Sequence, residues 1–356
     1  MSAASSPLWL NLLEPPAFAE LFLRHPPQGF AVGAGAGGLP LFRARLNLLT
    51  TLDRGALARL RRLPLFTLWS RRLSLSACFA GTTITEYAPL PGALSPEELL
   101  DILGRERDAS LVILKDLPDQ SPLLPEEDNA LAGAVAAEAG KRGWLEIRGQ
   151  ALAYVPLDFA AVDDYLARLS PARRRDLRRK NRRRGQLEVE RLPLGDARFF
   201  RRDFLDELYA QYLAVFAQSD IHFDLLSRDF FAALLQSREL AGVTLLYRRR
   251  GALAGYNICL IHKGRLLDKY IGFSYPLARE MNLYFLSWLV NLEFALENGL
   301  TAYVAGWTDP EVKASLGAAF TFTRHLVLVR HPLLRRLLSP LRGYFEADRK
   351  TIGDIR

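Results

Sequence analysis

The second half of the chain alternates short apolar runs with helical patterns. Residues 186–194 (QLEVERLPL) predict a strand, and residues 204–219 and 227–240 predict two amphipathic helices. Three apolar runs follow at residues 242–250, 252–263 and 265–273, joined by the short, glycine-containing connections RRRGA and HKGR. Connections of this kind are typical of hairpins, so the pattern predicts a three-stranded meander.

A long helix is expected directly after the meander. Its apolar pattern runs from Leu277 to Glu297 and ends at Asn298 and Gly299, a residue pair that favours helix termination. Residues 301–307 then predict a strand, residues 310–317 a short helix and residues 321–329 a final strand.

The first half mixes strands and helices. Residues 29–53 predict a hairpin with a glycine-rich connection, and strands are expected at 73–81, 83–90, 110–118 and 144–157. Helices are expected after Ser95, which is followed by proline at the first helical position, and over residues 124–143. The mixed order indicates an α/β chain, or α+β with a mixed sheet.

A basic segment separates the halves. Ten Lys or Arg residues lie between Arg168 and Arg184, against one acidic residue, Asp176. The segment is a solvated helix, a strut covered by acidic surface, or a phosphate-binding face for tRNA, a nucleotide-linked precursor or an anionic lipid. We favour polyanion binding, with Arg174, Arg175, Arg178, Arg179 and Arg182 as its residues.

Composition narrows the function classes. The 356 residues carry a net charge of +8, and their two cysteines, Cys78 and Cys259, lack the spacing of a zinc site or a disulfide framework. We therefore expect no metal and a reducing compartment. The N-terminus lacks the pattern of a signal peptide, and no apolar run is long enough for a membrane span. These features predict a cytoplasmic protein, with peripheral contact to the inner membrane left open.

The second half resembles the Fem-type peptidoglycan aminoacyltransferases, which contain two GNAT domains in tandem. The similarity lies in the order and spacing of six pieces over residues 160–325: YLARLSPARRRDLRRKNRR, SDIHFDLLSRDFF, YRRRGALAGY, DKYIGFSYP, FALENGL and EVKASLGAAF. The resemblance implies a degenerate first GNAT-like domain (1–158), a basic helical connector (159–185) and a catalytic GNAT-like domain (186–345). It also implies an activated acyl donor, acyl-CoA or aminoacyl-tRNA, and an amine acceptor, with no tightly bound cofactor.

Three residues are candidates for catalysis. Asp268 and Tyr270 lie two apart on the last meander strand, so they are expected to project from the same face. They could serve as base and proton donor; alternatively, Asp268 pairs with a cross-strand cation and Tyr270 packs at the rim. His222 belongs to one of the family-like pieces, but a structural hydrogen-bonding role is the competing interpretation.

Five residues are candidates for donor binding. Tyr275, Arg279 and Asn282 surround the expected start of the long helix, where unpaired N–H groups attract phosphate. The resemblance adds Lys313, with Trp307 ahead of it. The alternatives are a solvated first helical turn and an exposed helical lysine. The glycine-rich pyrophosphate loop of acyl-CoA enzymes is missing from GFSYPLAREMN, which leaves the donor open.

Two functions from different classes remain. The first is an N-acyltransferase or aminoacyltransferase that acts on an amine of a small metabolite or cell-envelope precursor. The second is a non-catalytic protein that binds tRNA or anionic lipid on a degenerate GNAT fold. Sequence-specific DNA recognition is not expected. A basic amphipathic helix over residues 331–345 is expected to pack on its own domain rather than on a membrane.

Overall fold

The computed structural model describes residues 9–47, 62, 74–219, 224–332 and 335–336. His222 and most of the expected C-terminal amphipathic helix lie outside these residues. The chain forms two compact units that are discontinuous in sequence. Unit 1 contains residues 1–12, 29–151 and 321–356, and unit 2 contains residues 13–28 and 152–320. The domain boundaries expected at residues 158 and 185 divide the chain into successive segments, and they stay a prediction.

Within the described residues, unit 1 combines strands of two to twelve residues with two α-helices. Its strands are β1 (Trp9–Leu10), β2 (Ala31–Ala34), β3 (Pro40–Asn47), β4 (Ser74–Ala80), β5 (Leu90–Pro91), β6 (Leu111–Asp119), the first part of β7 (Leu145–Pro156) and most of β13 (Ala319–Val329). Helix α1 (Pro16–Arg24) belongs to unit 2, and α2 (Pro96–Gly104) and α3 (Glu126–Lys141) belong to unit 1. As predicted, Ser95 caps α2, and its hydroxyl accepts the Glu98 N–H at 3.2 Å.

Unit 2 holds the remaining elements. Its helices are α4 (Val162–Arg168), α5 (Pro171–Asn181), α6 (Arg202–Gln218), α7 (Arg228–Leu235), α8 (Leu277–Glu280), α9 (Leu283–Glu297) and α10 (Pro310–Ser315). Its strands are β8 (Glu188–Pro193), β9 (Gly242–Arg249), β10 (Ala252–His262), β11 (Arg265–Phe273) and β12 (Ala302–Gly306), with the second part of β7.

The two units repeat one strand order. In unit 1, β2, β3 and β4 are antiparallel neighbours, β4 pairs in parallel with β6, and β6 pairs antiparallel with β13. In unit 2, β9, β10 and β11 are antiparallel, β11 pairs in parallel with β12, and β12 pairs antiparallel with β7. The repeat confirms the predicted mixed α/β fold built twice along the chain.

The predicted meander is confirmed, with two tight turns. Arg250 and Gly251 have φ values of 50° and 80°, and Lys263 and Gly264 have values of 45° and 73°. Two successive residues with positive φ are the mark of type I′ hairpin turns, whose twist matches that of the strands they join. The glycine in each connection therefore fixes the register of the adjoining strands.

Two predicted elements are corrected. Residues 83–90 form no strand apart from the first residue of β5, because Thr82, Thr85 and Tyr87 satisfy one another locally as a buried, hydrogen-bonded loop. The helix expected from Leu277 to Glu297 is two helices, α8 and α9. Asn282, with φ 53° and ψ 41°, takes a left-handed conformation that no α-helix can contain, so α9 begins only at Leu283.

Each unit has its own apolar core. In unit 2, α9 is the central element, with ten of its residues buried between Leu283 and Ala295. Its neighbours in the core come from β9, β10, β11 and β12 and from α4 and α5. Among the described residues, no helix is long and apolar enough to cross a membrane.

The packing of β10 against β11 leaves no space beside Gly272. A Cβ atom there would lie 2.2 Å from Cε1 of Tyr256, a residue with no exposed surface. We expect Gly272→Ala to lower the free energy of unfolding by about 2 kcal/mol, because Tyr256 cannot shift without losing its hydrogen bond to the Leu208 carbonyl. Urea unfolding measures the effect.

Gly133 on α3 is the matched control for this substitution. No heavy atom lies within 4 Å of a Cβ built at this position. Gly133→Ala should therefore raise the free energy of unfolding by about 0.5–1 kcal/mol, as expected for a helix interior. Equal effects of the two substitutions would contradict the close packing described for Gly272.

Candidate active site

The central feature of unit 2 is the point where β11 and β12 separate. The two parallel strands pair only from Arg265 to Leu267 on β11, opposite Ala302 to Val304 on β12. Strand β11 then continues to Phe273 and β12 to Gly306 without further pairing between them. Separation leaves backbone N–H and C=O groups on the facing edges available to a ligand. Asp268 is the first β11 residue beyond the paired stretch.

The Asp268 carboxylate is enclosed by polar groups. The Asn257 amide nitrogen lies 3.0 and 2.9 Å from its two oxygens, and the Asn291 amide nitrogen lies 2.9 Å from Oδ2. The Tyr303 hydroxyl is 3.0 Å from the same Oδ2, and the Cys259 thiol is 3.8 Å from Oδ1. These donors come from β10, α9 and β12. The Asp268 side chain nevertheless stays partly exposed.

Burial raises the pKa of Asp268 above the usual carboxyl range, because the ionised form loses hydration. The hydrogen bonds from Asn257 and Tyr303 and the positive charge of Lys313 act in the opposite direction and do not overcome it. A partly exposed carboxyl group with a raised pKa is a better proton acceptor than an ordinary aspartate, and it is held in a fixed orientation.

Tyr270 does not share a face with Asp268, so that expectation is wrong. Ile258 lies opposite Tyr270 and Cys259 opposite Asp268, so Lys269 is the extra residue of a β-bulge. Tyr270 therefore packs on the other side of the sheet, with ring centroids 5.6 Å from Phe231 and 5.9 Å from Phe230.

Lys313 is buried, so its interpretation as an exposed helical lysine is wrong. Its Nζ lies 2.6 Å from the Ala305 carbonyl oxygen and 3.2 Å from that of Gly306, at the free end of β12. Only 5% of the residue is exposed. Trp307 follows at the same strand end and is partly exposed. The lysine thus places a positive charge where β12 leaves β11.

The candidate donor residues are only partly brought together. Asn282 lines a pocket of about 230 Å³ with three basic side chains, Arg179, Lys180 and Arg183. Arg279 does not line it: its guanidinium donates to the Gln218 side chain at 2.6 Å and lies 4.9 Å from the Tyr275 ring centroid. The break at Asn282 moved the start of the long helix away from Arg279 and Tyr275.

The basic helix α5 supplies two cations of this pocket, Arg179 and Lys180, and the turn that follows it supplies Arg183. Ser170 caps the helix by accepting the Arg173 N–H at 3.3 Å, as its sequence predicts. Lys180 lies 3.3 Å from the ring centroid of Phe285 in the first turn of α9, and it pairs with Asp176 at 2.9 Å. The pocket is therefore built where α5 packs against the N-terminal end of α9.

Several residues of the site were missed by sequence reasoning. Asn257, Asn291 and Tyr303 hold Asp268, and Tyr284 on α9 lies within the electrostatic reach of Asp309 and Asp268. Burial, reinforced by those two carboxylates, raises the pKa of Tyr284. A usable signal existed for the asparagines, since each interrupts an apolar run expected to be buried.

Comparison with known proteins identifies the class. Residues 171–314 match the family model of the acetyltransferase (GNAT) domain. This match agrees with the strand separation and the central helix of unit 2. It indicates an acyltransferase with an acetyltransferase (GNAT) domain over these residues. The resemblance inferred from the sequence is confirmed. A comparison with curated proteins gives no match.

Three solved structures share the fold over nearly the whole chain. FemX is 11% identical, with a TM-score of 0.54, and the alignment covers 94% of this chain and 96% of FemX. L-PGS from Bacillus licheniformis is 13% identical, with a TM-score of 0.51 and coverage of 93% and 98%. A C-terminal domain (DUF2156) described as that of a lysylphosphatidylglycerol synthetase from Agrobacterium fabrum is 11% identical, with a TM-score of 0.55 and coverage of 92% and 95%.

The raised pKa of Asp268 predicts a pH-dependent effect on stability. Below the ordinary carboxyl range, Asp268 is protonated in both folded and unfolded states; as pH rises through its folded pKa, ionisation inside the protein opposes folding. We expect the difference in free energy of unfolding, Asp268→Asn minus wild type, to be more positive near pH 7 than near pH 4. Urea unfolding at the two pH values measures the difference, and the reverse order would contradict the assigned pKa shift.

Proposed function

We propose that unit 2 transfers an acyl group from a phosphopantetheine thioester to an amine, with Asp268 as the general base. The observation that carries this proposal is the position of a desolvated, partly exposed carboxylate at the separation of β11 and β12. A GNAT domain is an acyltransferase domain, so the reaction type follows from the family match. The donor, the acceptor and the residue roles are the proposed part.

Acyl transfer to an amine requires little from the protein beyond alignment of the two substrates and stabilisation of the charges that develop. The acceptor amine attacks the thioester carbonyl and loses a proton to Asp268. The tetrahedral intermediate then breaks its C–S bond and expels the thiolate, which takes up that proton from Asp268. Backbone N–H groups at the separated strand edges would stabilise the oxyanion. Lys313 supports this arrangement, because it holds the Ala305 and Gly306 carbonyls and leaves the strand end in one conformation.

Distance along α9 supports a phosphopantetheine donor. Asn282 lines the basic pocket and Asn291 contacts Asp268, and the two are nine residues apart. At about 1.5 Å per residue, the pocket and the carboxylate are ~13 Å apart along the helix. A phosphopantetheine arm has roughly thirteen bonds from phosphorus to sulfur and, at ~1.2 Å per bond, spans this distance.

Aminoacyl-tRNA fits the same distance less well. Only about six bonds separate the last phosphate from an aminoacyl ester on the terminal ribose, a reach of ~7 Å at the same length per bond. The last phosphate of tRNA in the basic pocket would therefore leave the ester short of Asp268, and only a phosphate further along the strand would reach. Acyl-CoA is the simplest donor with the longer arm.

The acceptor is proposed as an amine of a small metabolite or of a cell-envelope precursor, in the cytoplasm or at the membrane surface. Support comes from the fold shared with FemX and with L-PGS. The alternative function, polyanion binding without catalysis, is favoured by the exposed arginines of α5. Polyanion binding without catalysis does not explain why Asp268 is enclosed by polar groups.

Removal of the base tests catalysis. We expect Asp268→Asn to lower kcat/KM for acetyl transfer by about 10²–10⁴, because the amide cannot accept the amine proton. Release of CoA thiol from acetyl-CoA, with a panel of primary amines, measures transfer. Asp203→Asn, at an exposed ion pair on α6, is the control and should keep full activity. Equal activity of Asp268→Asn and the wild type would remove Asp268 from the mechanism.

Removal of the pocket charges tests donor binding. We expect the double variant Arg179→Ala, Arg183→Ala to raise KM for acetyl-CoA at least about a hundredfold with a smaller change in kcat, since each charge-assisted bond contributes about 1.5–3 kcal/mol. Arg202→Ala, on the exposed surface of α6, is the matched control. A change confined to kcat would argue against a donor phosphate in this pocket.

A further inference from the structure

Helix α5 carries more positive charge than the basic pocket uses. Arg175, Arg178 and Arg182 are exposed and follow one another at intervals of three and four residues, so they form a stripe on one side of the segment; we call it the arginine face. It lies beside Arg179 and Arg183, which line the pocket.

Little inside the protein neutralises the arginine face. Within the described residues, Arg175 and Arg182 take part in no ion pair, and Arg178 reaches only Asp163, 3.7 Å away, with both side chains more than half exposed. Asp176 is shared among Arg173, Arg179 and Lys180. Like charges at helical spacing destabilise a helix, so an unneutralised stripe fits a surface that meets an anionic partner.

The pocket itself is suited to a single phosphate. Its volume is about 230 Å³, and its lining consists of three cations and Asn282. The segment from Ser274 to Asn282 contains no glycine, and helix α8 occupies it. Enclosure of a nucleotide diphosphate would call for a glycine-rich loop that lets the backbone approach closely. The arginine face extends four residues beyond the pocket, from Arg179 back to Arg175, ~6 Å along the helix.

We propose that the arginine face binds an acidic carrier protein that presents the acyl group on a phosphopantetheine arm. The proposal rests on the proposed function, because the arm must reach Asp268. The phosphodiester that joins the arm to its carrier lies in the basic pocket, and acidic side chains of the carrier lie on Arg175, Arg178 and Arg182. The arm then extends from the pocket toward the separated strands.

A nucleic acid would use the same charges but fits the geometry less well. The arginine face has no aromatic residue between its cations, whereas surfaces for single strands stack bases on aromatic rings. The ~7 Å reach of an aminoacyl ester from the last phosphate also falls short of Asp268. Binding of tRNA is therefore the competing outcome of the experiment.

The experiment measures binding without turnover. The probe is a fluorescently labelled acyl carrier protein in three forms: without the arm, with the arm, and with an acetylated arm. Anisotropy is recorded with the wild type, with the double variant Arg175→Ala, Arg182→Ala, and with Arg202→Ala as the matched control. Uncharged tRNA is titrated under the same ionic conditions.

We expect the carrier with its arm to bind at least tenfold more tightly than the carrier without it. The double variant should weaken binding at least tenfold, the control should leave it unchanged, and added salt should weaken wild-type binding more than that of the double variant. The ratio of kcat/KM for the acetylated carrier to that for acetyl-CoA should fall at least tenfold in the double variant.

Equal carrier affinity of the wild type and the double variant would overturn the proposal, as would tighter binding of tRNA than of the carrier. These failures differ from a failure of the proposed function. Carrier binding that persists while neither donor is turned over would contradict acyl transfer by unit 2. Acetyl-CoA turnover that depends on Asp268, without any carrier binding, would overturn the carrier alone.

Discussion

The structure of unit 2 depends on one constraint: a carboxylate must remain ionisable at the point where two parallel strands stop pairing. Asp268 stands there with little water around it, and burial raises its pKa. An ionised carboxylate in such a place needs several donors, and Asn257, Asn291 and Tyr303 provide them from three different elements. The meander, the central helix and the strand after it are thus tied to a single group.

Helix α9 joins the two parts of the proposed site. Its N-terminal end meets the cations of α5 around Asn282, and nine residues later Asn291 holds Asp268. Both ends are rigid because α9 is buried along most of its length. An α-helix has a fixed rise per residue, so the length of α9 sets the distance between the pocket and Asn291. In the proposed function, a donor must have this distance between its phosphate and its carbonyl group.

The basic segment also gains a physical explanation. Its charge is partly neutralised within the protein, since Asp176 serves three cations and Arg184 pairs with Glu293 at 2.5 Å. Another part lines the pocket, and the arginine face stays exposed. The solvated-helix interpretation and the polyanion interpretation therefore describe different sides of the same helix.

The amino-acid sequence by itself determined the order of elements, the hairpin turns and the helix caps, because local pattern governs these features. Ser170, Gly251 and Gly264 act through neighbours a few residues away. It also singled out Asp268 and Asn282 from their positions in predicted elements and the basic segment from its charge, whereas Lys313 came from the family resemblance.

Tertiary structure alone decided which of these residues meet. The bulge at Lys269 turned Tyr270 away from Asp268, and the left-handed Asn282 ended the long helix early. Neither event has a local signal strong enough to override the periodicity that surrounds it. The partners of Asp268 come from Asn257, Asn291 and Tyr303, which are distant in the chain, and only the packed sheet and helix bring them within hydrogen-bonding distance.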